Sequence, residues 1–253
     1  MGPKITHSIF HKTKFKSLSE FLRKAFYPED IKCISCGREL SEYTRYGLCP
    51  NCKLEYNETF CEICGISVPA QNRFCDKCKI ITHEFDLARS SVLYNGDAAK
   101  LVQRLKYHDA RYLARYMAEF MADVYYTQNI EADVVTAVPM YKSHLRSRGY
   151  NQSELLATEL GKRIKLPYER LLVKTVKTKS MVGLGREARL KLIKGSIELC
   201  PEANLKGKKV LIADDVITTG ATSDECARVL KLGGAAKVFV ITFSSSVSKP
   251  TLT

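Results

Sequence analysis

Four C-x2-C units constrain the fold of this sequence more than any other feature. Eight of the ten cysteines in the 253-residue chain belong to them: Cys33/Cys36, Cys49/Cys52, Cys61/Cys64 and Cys75/Cys78. A C-x2-C unit at a tight turn points two thiolates at one ion, and two such units complete a tetrahedral zinc site. The stretch 33–82 has few aliphatic residues, so we expect metal to supply much of its folding free energy and a chelator to unfold it.

The spacing favours two structural Zn²⁺ ions, each held by two consecutive units. A cross-braced pairing fits the same spacing and stays open. Iron–sulfur ligation and a disulfide or redox cluster are the alternatives, and four regular units favour zinc over both. Cys200 and Cys226 lie outside the pattern and are interpreted as small buried hydrophobic residues.

The N-terminal segment bears on location. Residues 1–32 are basic and lack the apolar core of a secretory signal, so we expect a cytoplasmic protein whose thiols stay reduced. No apolar run approaches the ~20 residues that cross a bilayer, so we expect no transmembrane segment. The segment is also amphipathic. Packing against the rest of the protein is the favoured interpretation, and binding at the inner face of the membrane is the alternative.

Positive charge is concentrated in one part of the chain. The formal net charge is +13, and the stretch 142–194 alone carries fourteen Lys and Arg residues against four Asp and Glu residues. Such a surface attracts polyanions, either nucleic acid or a phosphorylated metabolite. A merely solvated face is the alternative, but the excess flanks the phosphate-binding signals described below.

From about residue 83 the sequence alternates between strand and helix patterns. Strands are predicted over 91–94, 133–138, 171–176, 209–213 and 237–243. Helices are predicted over 98–128 with a break near His108, over 151–164 and over 221–232, and the basic stretch 177–194 is predicted to be mobile. This alternation predicts an α/β domain over 83–253, with a mostly parallel sheet and helices on both faces.

The segment VLIADDVITTGAT, residues 210–222, predicts a phosphate site with sugar contacts. A buried strand ends in Asp214 and Asp215, and a loop rich in hydroxyl groups then opens a helix. A helix N-terminus suits a phosphate, and Gly220 permits close backbone approach. Two carboxylates would repel a bare phosphate. They fit a phosphorylated ribose whose hydroxyls need acceptors, or a site where a divalent cation intervenes.

This segment resembles the phosphoribosyl pyrophosphate (PRPP) motif of type I phosphoribosyltransferases. Two further segments, LVQRLKYHDARYLA (101–114) and VPMYKSHLRSRGYNQSELLA (138–157), are similar to blocks of the ComF-like competence protein family. The order of parts is also similar to that family: a basic lead segment (1–32), a double zinc ribbon (33–82) and a phosphoribosyltransferase-like domain (83–253). The resemblance implies a type I phosphoribosyltransferase fold.

The resemblance also implies roles for individual residues. Asp214 and Asp215 would hold the ribose hydroxyls directly or through Mg²⁺, and Lys106 and Tyr107 lie in the variable hood that recognises the acceptor. The 5-phosphate would be cradled by Thr218, Thr219, Gly220, Ala221 and Thr222. Pyrophosphate would be bound by Pro139, Met140, Tyr141, Lys142, Arg146 and Arg148. A mobile loop that closes over the site would contain Lys177, Lys179, Arg186 and Arg189.

Three functions are compatible with these features. The favoured one is a PRPP-binding protein that handles incoming single-stranded DNA during natural transformation, together with DNA-uptake proteins, as the family resemblance implies. The second is a salvage-type phosphoribosyltransferase acting on a small base or amine, with the ribbons as a structural appendage. The third is a nucleic-acid-binding adaptor that kept the pocket and lost catalysis. The sequence leaves the acceptor and catalytic activity undetermined.

Overall fold

The computed structural model describes residues 32–42, 44–178 and 186–246. The predicted lead segment therefore lies outside the described residues except for Lys32, and so does Lys179 of the predicted mobile loop. Across the described ranges, no helix combines the length and apolar character that a membrane span requires.

Strands and helices alternate from residue 87 to residue 245. The strands are β1 (Leu87–Leu93), β2 (Val134–Ala137), β3 (Leu172–Lys174), β4 (Ile197–Leu199), β5 (Lys209–Ile217) and β6 (Lys237–Ser245). The helices are α1 (Gly96–Tyr107), α2 (Leu113–Thr127), α3 (Lys142–Arg148), α4 (Gln152–Ile164), α5 (Arg186–Ile193) and α6 (Ala221–Leu232).

Four of the strands form a parallel sheet in the order β1-β6-β5-β2. The central strands are buried almost throughout, as expected for a parallel sheet with both faces covered. Because all four strands run the same way, their carboxyl ends meet at one edge, where open α/β sheets bind ligands. The loop after β2 and the loop after β5 are therefore neighbours at that edge.

The predicted α/β architecture is confirmed, with local differences. The break near His108 separates α1 from α2, and α6 has the predicted bounds. Strand β1 begins four residues before the predicted strand, and β5 continues through the acidic pair to Ile217. Strand β4, which pairs antiparallel with β3, was not predicted. The stretch 177–194, predicted to be mobile, contains α5.

The eight clustered cysteines form two groups in sequential order. Cys33, Cys36, Cys49 and Cys52 make the first cluster, and Cys61, Cys64, Cys75 and Cys78 make the second cluster. In each cluster the sulfur atoms all lie within 4.8 Å of one another. The sulfur atoms of Cys64 and Cys75 are 3.7 Å apart, much farther than a disulfide bond allows.

The second cluster is part of a hydrophobic core that it shares with the α/β region. Its four cysteines are buried in one group with Phe85, Ala88 and Val240 of the α/β region. The backbone N–H of Ala88 in β1 donates to the carbonyl of Ile63 at 2.9 Å. The side chain of Asn57 donates to the carbonyl of Gly65 and to Ser90 Oγ, each at 2.7 Å. This ribbon therefore lies directly against the sheet.

Gly65 and Gly37 occupy equivalent turns in the two clusters and give a matched pair of substitutions. Both have positive φ, +68° and +74°. A Cβ at Gly65 would lie 2.4 Å from the carbonyl oxygen of Ala88, whereas one at Gly37 would meet nothing within 4 Å. We expect Gly37→Ala to cost about 1 kcal/mol of unfolding free energy for the left-handed conformation alone. We expect Gly65→Ala to cost about 3 kcal/mol or more, since ribbon and strand must separate. Denaturant unfolding of both variants measures the difference, and equal losses would contradict the close packing.

Candidate functional site

The acidic pair lies at the carboxyl end of β5, and its two side chains have different surroundings. Asp214 is partly buried, and its Oδ1 accepts from Ser153 Oγ at 2.6 Å and from the backbone N–H of Asp215 at 2.9 Å. Asp215 is 3% exposed, and its Oδ1 lies 2.9 Å from Lys106 Nζ. Neighbouring side chains on a strand point to opposite faces, so the two carboxylates face different partners.

The loop after β5 begins helix α6 and lies beside Asp214. Gly220 is the N-cap residue, with φ of +75°. Asp214 and the whole stretch from Val216 to Ser223 line one small pocket, so the predicted phosphate-binding residues Thr218, Thr219, Gly220, Ala221 and Thr222 lie together there. The first backbone N–H groups of a helix have no intrahelical acceptor, and they suit an anion.

The electrostatics of the acidic pair depend on burial and on Lys106. Burial and the neighbouring Asp215 raise the pKa of Asp214 to about 7, against the opposing effect of the Ser153 hydrogen bond. Burial alone would lower the pKa of Lys106, but the carboxylates of Asp215 and Asp214 raise it. The lysine therefore stays charged and holds the second carboxylate in place.

The raised pKa of Asp214 predicts a stability change. Between the ordinary aspartate pKa of 3.8 and the folded value of about 7, the folded chain holds a proton that the unfolded chain has lost, so stability falls as pH rises through this window. Asp214→Asn removes this cost and keeps an acceptor for Ser153. We expect the variant to be about 1–2 kcal/mol more stable at pH 8 and equal to the natural chain below pH 4. Denaturant unfolding at both pH values measures this. A less stable variant at pH 8 would contradict it.

The segment R-G-Y-N-Q-S, residues 148–153, connects α1, the loop after β2 and the end of β5. The side-chain oxygen of Asn151, the N-cap residue of α4, accepts from the Ser153 N–H at 3.1 Å, and its amide donates to the carbonyl of Val138 at 3.0 Å. The hydroxyl of Tyr150 donates to the carbonyl of Leu105. The contact of Ser153 with Asp214 was not predicted. Ser153 lies in the helix predicted over 151–164, but its partner Asp214 lies 61 residues farther along the chain.

The residues predicted to bind pyrophosphate are spread over a wider area. Tyr141 is the N-cap residue of α3, and Lys142 and Arg146 are exposed on that helix. Arg148 contacts Gln152 and lies over the ring of Tyr107 at 5.1 Å. Pro139 and Met140 line a small cavity near Tyr168 and Arg170. Of these cations, Arg148 lines the same cavity as Lys106, and the pyrophosphate role of the whole group stays a prediction.

A cavity of about 640 Å³ adjoins the acidic pair. Lys106 connects the two, since its Nζ contacts Asp215 and its side chain lines the cavity. The other lining residues come from the α1–α2 connection, α3 and the residues after it: Tyr107, Asp109, Arg111, His144, Ser147, Arg148 and Tyr150. Lys106 and Tyr107, predicted to belong to the hood, thus lie together beside a polar cavity of ligand size.

The remaining predictions concern the mobile-loop residues and the two cysteines outside the clusters. Lys177 is exposed at the start of the predicted mobile loop, and Arg186 and Arg189 lie in α5, so the closing motion stays a prediction. Cys226 is buried in α6, as predicted, and burial raises the pKa of its thiol. Cys200 is only partly buried.

Both cysteine clusters have the composition and geometry of a structural zinc site. Four sulfur atoms within 4.8 Å of one another can surround one tetrahedral ion, and bound metal keeps such thiols as thiolates. The second cluster is buried and closed, so it offers no open position for a substrate. The two clusters are compatible with two structural zinc ions.

Comparison with known proteins agrees with this arrangement. A family model described as "Phosphoribosyl transferase domain" matches residues 106–251. Competence protein F of Haemophilus influenzae is 28% identical over 219 residues, which cover 83% of this chain and 95% of that protein. DNA utilization protein YhgH of Escherichia coli is 25% identical over 203 residues, which cover 77% of this chain and 88% of that protein.

Among solved structures, the glutamine PRPP amidotransferase from B. subtilis matches with a TM-score of 0.36 and 25% identity. The match covers 51% of this chain and only 25% of that chain. The family match includes Lys106, the acidic pair and the loop that begins α6. The chain belongs to the phosphoribosyl transferase domain family, as a ComF-like member with two four-cysteine clusters ahead of that domain.

Proposed function

We propose that the protein binds PRPP together with Mg²⁺ at the carboxyl edge of its parallel sheet, and that it acts in handling single-stranded DNA during DNA uptake. One observation carries the ligand assignment. The acidic pair is followed closely in the chain by the predicted phosphate-binding residues 218–222, which we call the phosphate loop. Asp214 and this loop line the same pocket. A phosphorylated ribose needs both acceptors for hydroxyls and donors for phosphate, and this pocket offers both.

The acidic pair is suited to a magnesium–ribose ligand. Asp214 lines the pocket, and buried Asp215 Oδ2 has no hydrogen-bond partner among the described residues. Carboxylate oxygens are the ligands that Mg²⁺ uses in proteins, usually one or two together with substrate phosphates. When bound, Mg²⁺ would supply positive charge that offsets the charge of the pyrophosphate group. Asp214 and Asp215 are the residues that would hold it.

The surrounding residues orient the ligand and balance the charge of the acidic pair. Ser153 and the Asp215 N–H fix the Asp214 carboxylate, so its hydrogen bonds are set before the ligand arrives. Lys106 balances the charge of Asp215 and lies at the boundary with the 640 Å³ cavity. Pyrophosphate at this boundary would meet Lys106 and Arg148, and an acceptor would enter the cavity beside Tyr107.

The DNA part of the proposal comes from the relatives and from charge. Competence protein F and YhgH, a DNA utilization protein by name, are similar over most of this chain. The stretch 142–194, with fourteen Lys and Arg residues against four Asp and Glu residues, carries most of the net positive charge, and it contains α3 and α4 beside the site. Backbone phosphates bind such surfaces through counterion release. We place this role in the cytoplasm, with DNA-uptake proteins as partners.

Calorimetric titration of the full chain with PRPP tests the ligand assignment. We expect micromolar binding with Mg²⁺ and about tenfold weaker binding without it. The absence of binding under both conditions would overturn the proposal. Pyrophosphate release, screened against free bases and ammonia, then separates a binding protein from a salvage-type enzyme. Turnover with one of these acceptors would establish the enzyme instead.

Fluorescence anisotropy with a labelled single-stranded oligonucleotide tests the DNA assignment separately. We expect binding whose affinity falls steeply between 50 and 200 mM salt, by about tenfold or more. A duplex of the same sequence is the control for strand preference. Affinity below the range of non-specific binding at 50 mM salt would overturn the DNA role and leave the PRPP site unaffected.

A further inference from the structure

Two buried side chains join the second cluster to the phosphate loop. His83 follows Cys78 by five residues, and Asp224 lies in the first turn of α6. Their side chains are only 3% and 5% exposed. Nδ1 of His83 lies 2.9 Å from each carboxylate oxygen of Asp224. Because the pair is shielded from water, its geometry is held far more firmly than that of a surface ion pair.

The other nitrogen of the same imidazole reaches the cysteine cluster. Nε2 of His83 lies 3.3 Å from Cys78 Sγ. A metal-bound thiolate and a carboxylate both accept hydrogen bonds, so the imidazole lies between two acceptors, one on each ring nitrogen. Hydrogen bonds of this kind to a metal ligand orient the ligand and the group beyond it. The ring therefore lies between a metal ligand and the helix that begins at the phosphate loop.

Asp224 connects the imidazole to the phosphate loop. Its backbone N–H donates to the carbonyl of Gly220 at 2.8 Å, and its Oδ1 accepts from the N–H of Glu84 at 3.0 Å. The His83 ring also packs on the turn of the loop, since a Cβ at Gly220 would lie only 3.2 Å from its Cε1. The ring also stacks on Phe85, which lies two residues before β1, with 4.4 Å between the ring centroids. A shift of the ring would therefore move the loop.

We propose that His83 and Asp224 are positioning residues that couple metal binding at the second cluster to ligand binding at the phosphate loop. The proposal rests on the proposed phosphoribosyl site. Bound metal would hold the Cys78 side chain in position, and Cys78 would hold the imidazole. The imidazole and Asp224 would in turn hold the start of α6 in position. Coupling between two sites is reciprocal, so a ligand that orders the loop must also change the surroundings of the metal. The first cluster contacts α1 instead, through a side-chain hydrogen bond between Cys52 and Asp97.

The natural chain loaded with ¹¹³Cd tests the coupling without any substitution. The two clusters give two cadmium resonances, which are assigned through their couplings to the cysteine β-protons. On titration with ribose 5-phosphate and Mg²⁺ we expect the resonance of the second cluster to move and that of the first cluster to stay, as an internal control. Calorimetric binding with both resonances fixed, or with both moving alike, would overturn the coupling. The absence of binding to ribose 5-phosphate and to PRPP would overturn the proposed function, and the coupling with it.

Substitutions then locate the coupling in these two side chains. Asp224→Ala removes the carboxylate and His83→Gln removes the imidazole, and the Gln amide can still donate towards Cys78. We expect each to bind ribose 5-phosphate about tenfold more weakly while retaining two zinc ions per chain. Asp76→Asn is the matched control, because it removes an exposed carboxylate beside the same cluster, paired there with Lys79. Natural affinity in both test variants, with zinc retained, would overturn the proposal.

Discussion

Replacing both Asp214 and Asp215 with asparagine is expected to weaken PRPP binding at least about 100-fold while leaving single-stranded DNA affinity within about twofold. Each charged hydrogen bond to a ligand contributes about 1.5–3 kcal/mol, so losing two of them gives this change. Asparagine keeps the shape of the side chains and the acceptor for Ser153, which limits effects on folding. The basic residues of 142–194 keep their own charge in this variant, so we expect their contacts with DNA phosphates to be retained. Titration calorimetry with PRPP and anisotropy with an oligonucleotide measure the two affinities.

Asp109→Asn is the matched control for that double variant. Asp109 lines the neighbouring cavity, its side chain is 73% exposed, and its φ of +51° suits asparagine. It therefore removes a carboxylate near the site without strain, and we expect natural PRPP affinity. The assignment of the pocket fails if the double variant keeps natural affinity, or if Asp109→Asn weakens binding as much as the double variant does. Parallel losses of PRPP and DNA affinity would point to one shared site.

The part of the site that could be predicted from sequence is the part that is local in the chain. The acidic pair, the loop and the helix start are thirteen consecutive residues, and their chemistry follows from their order. A strand followed by a helix also fixes where they lie in a parallel sheet. The structure accordingly places Asp214 and Gly220 beside one pocket.

The part that could not be predicted depends on contacts between distant segments. Ser153 meets Asp214 across 61 residues, and His83 meets Asp224 across 141. A serine after an N-cap and a histidine after a cysteine unit have common structural explanations, so neither residue type alone indicates a partner. Their burial, which makes these contacts strong, is fixed only when the helices and ribbons pack on the sheet.

The packing of the second cysteine cluster is another contact between distant segments that could not be predicted from the sequence. Composition suggested a separate metal-stabilised module over 33–82, because that stretch has few aliphatic residues of its own. In the structure the second cluster is buried in one core with Phe85, Ala88 and Val240. A segment can lack its own core and still complete the core of its neighbour. Loss of metal there should therefore affect the sheet as well as the ribbon.

Cys64→Ser is accordingly expected to lower stability much more than Cys36→Ser. The two residues hold equivalent places in their clusters, but Cys64 is 4% exposed and Cys36 is exposed to solvent. We expect each variant to lose one zinc ion. The loss at the second cluster should cost at least about 4 kcal/mol and lower the Tm by about 10 °C or more, because core contacts with β1 are lost together with metal–ligand bonds.

The loss at the first cluster should remain more local, and hydrogen exchange can separate the two cases. The Ala88 N–H donates to the Ile63 carbonyl across the junction of ribbon and sheet, so its exchange reports directly on that junction. We expect fast exchange there in Cys64→Ser and near-natural protection in Cys36→Ser, with zinc content measured on the same samples. Equal protection of Ala88 in both variants would mean that the sheet holds without the second metal site. Metal binding would then stabilise only the ribbon, as the composition alone suggested.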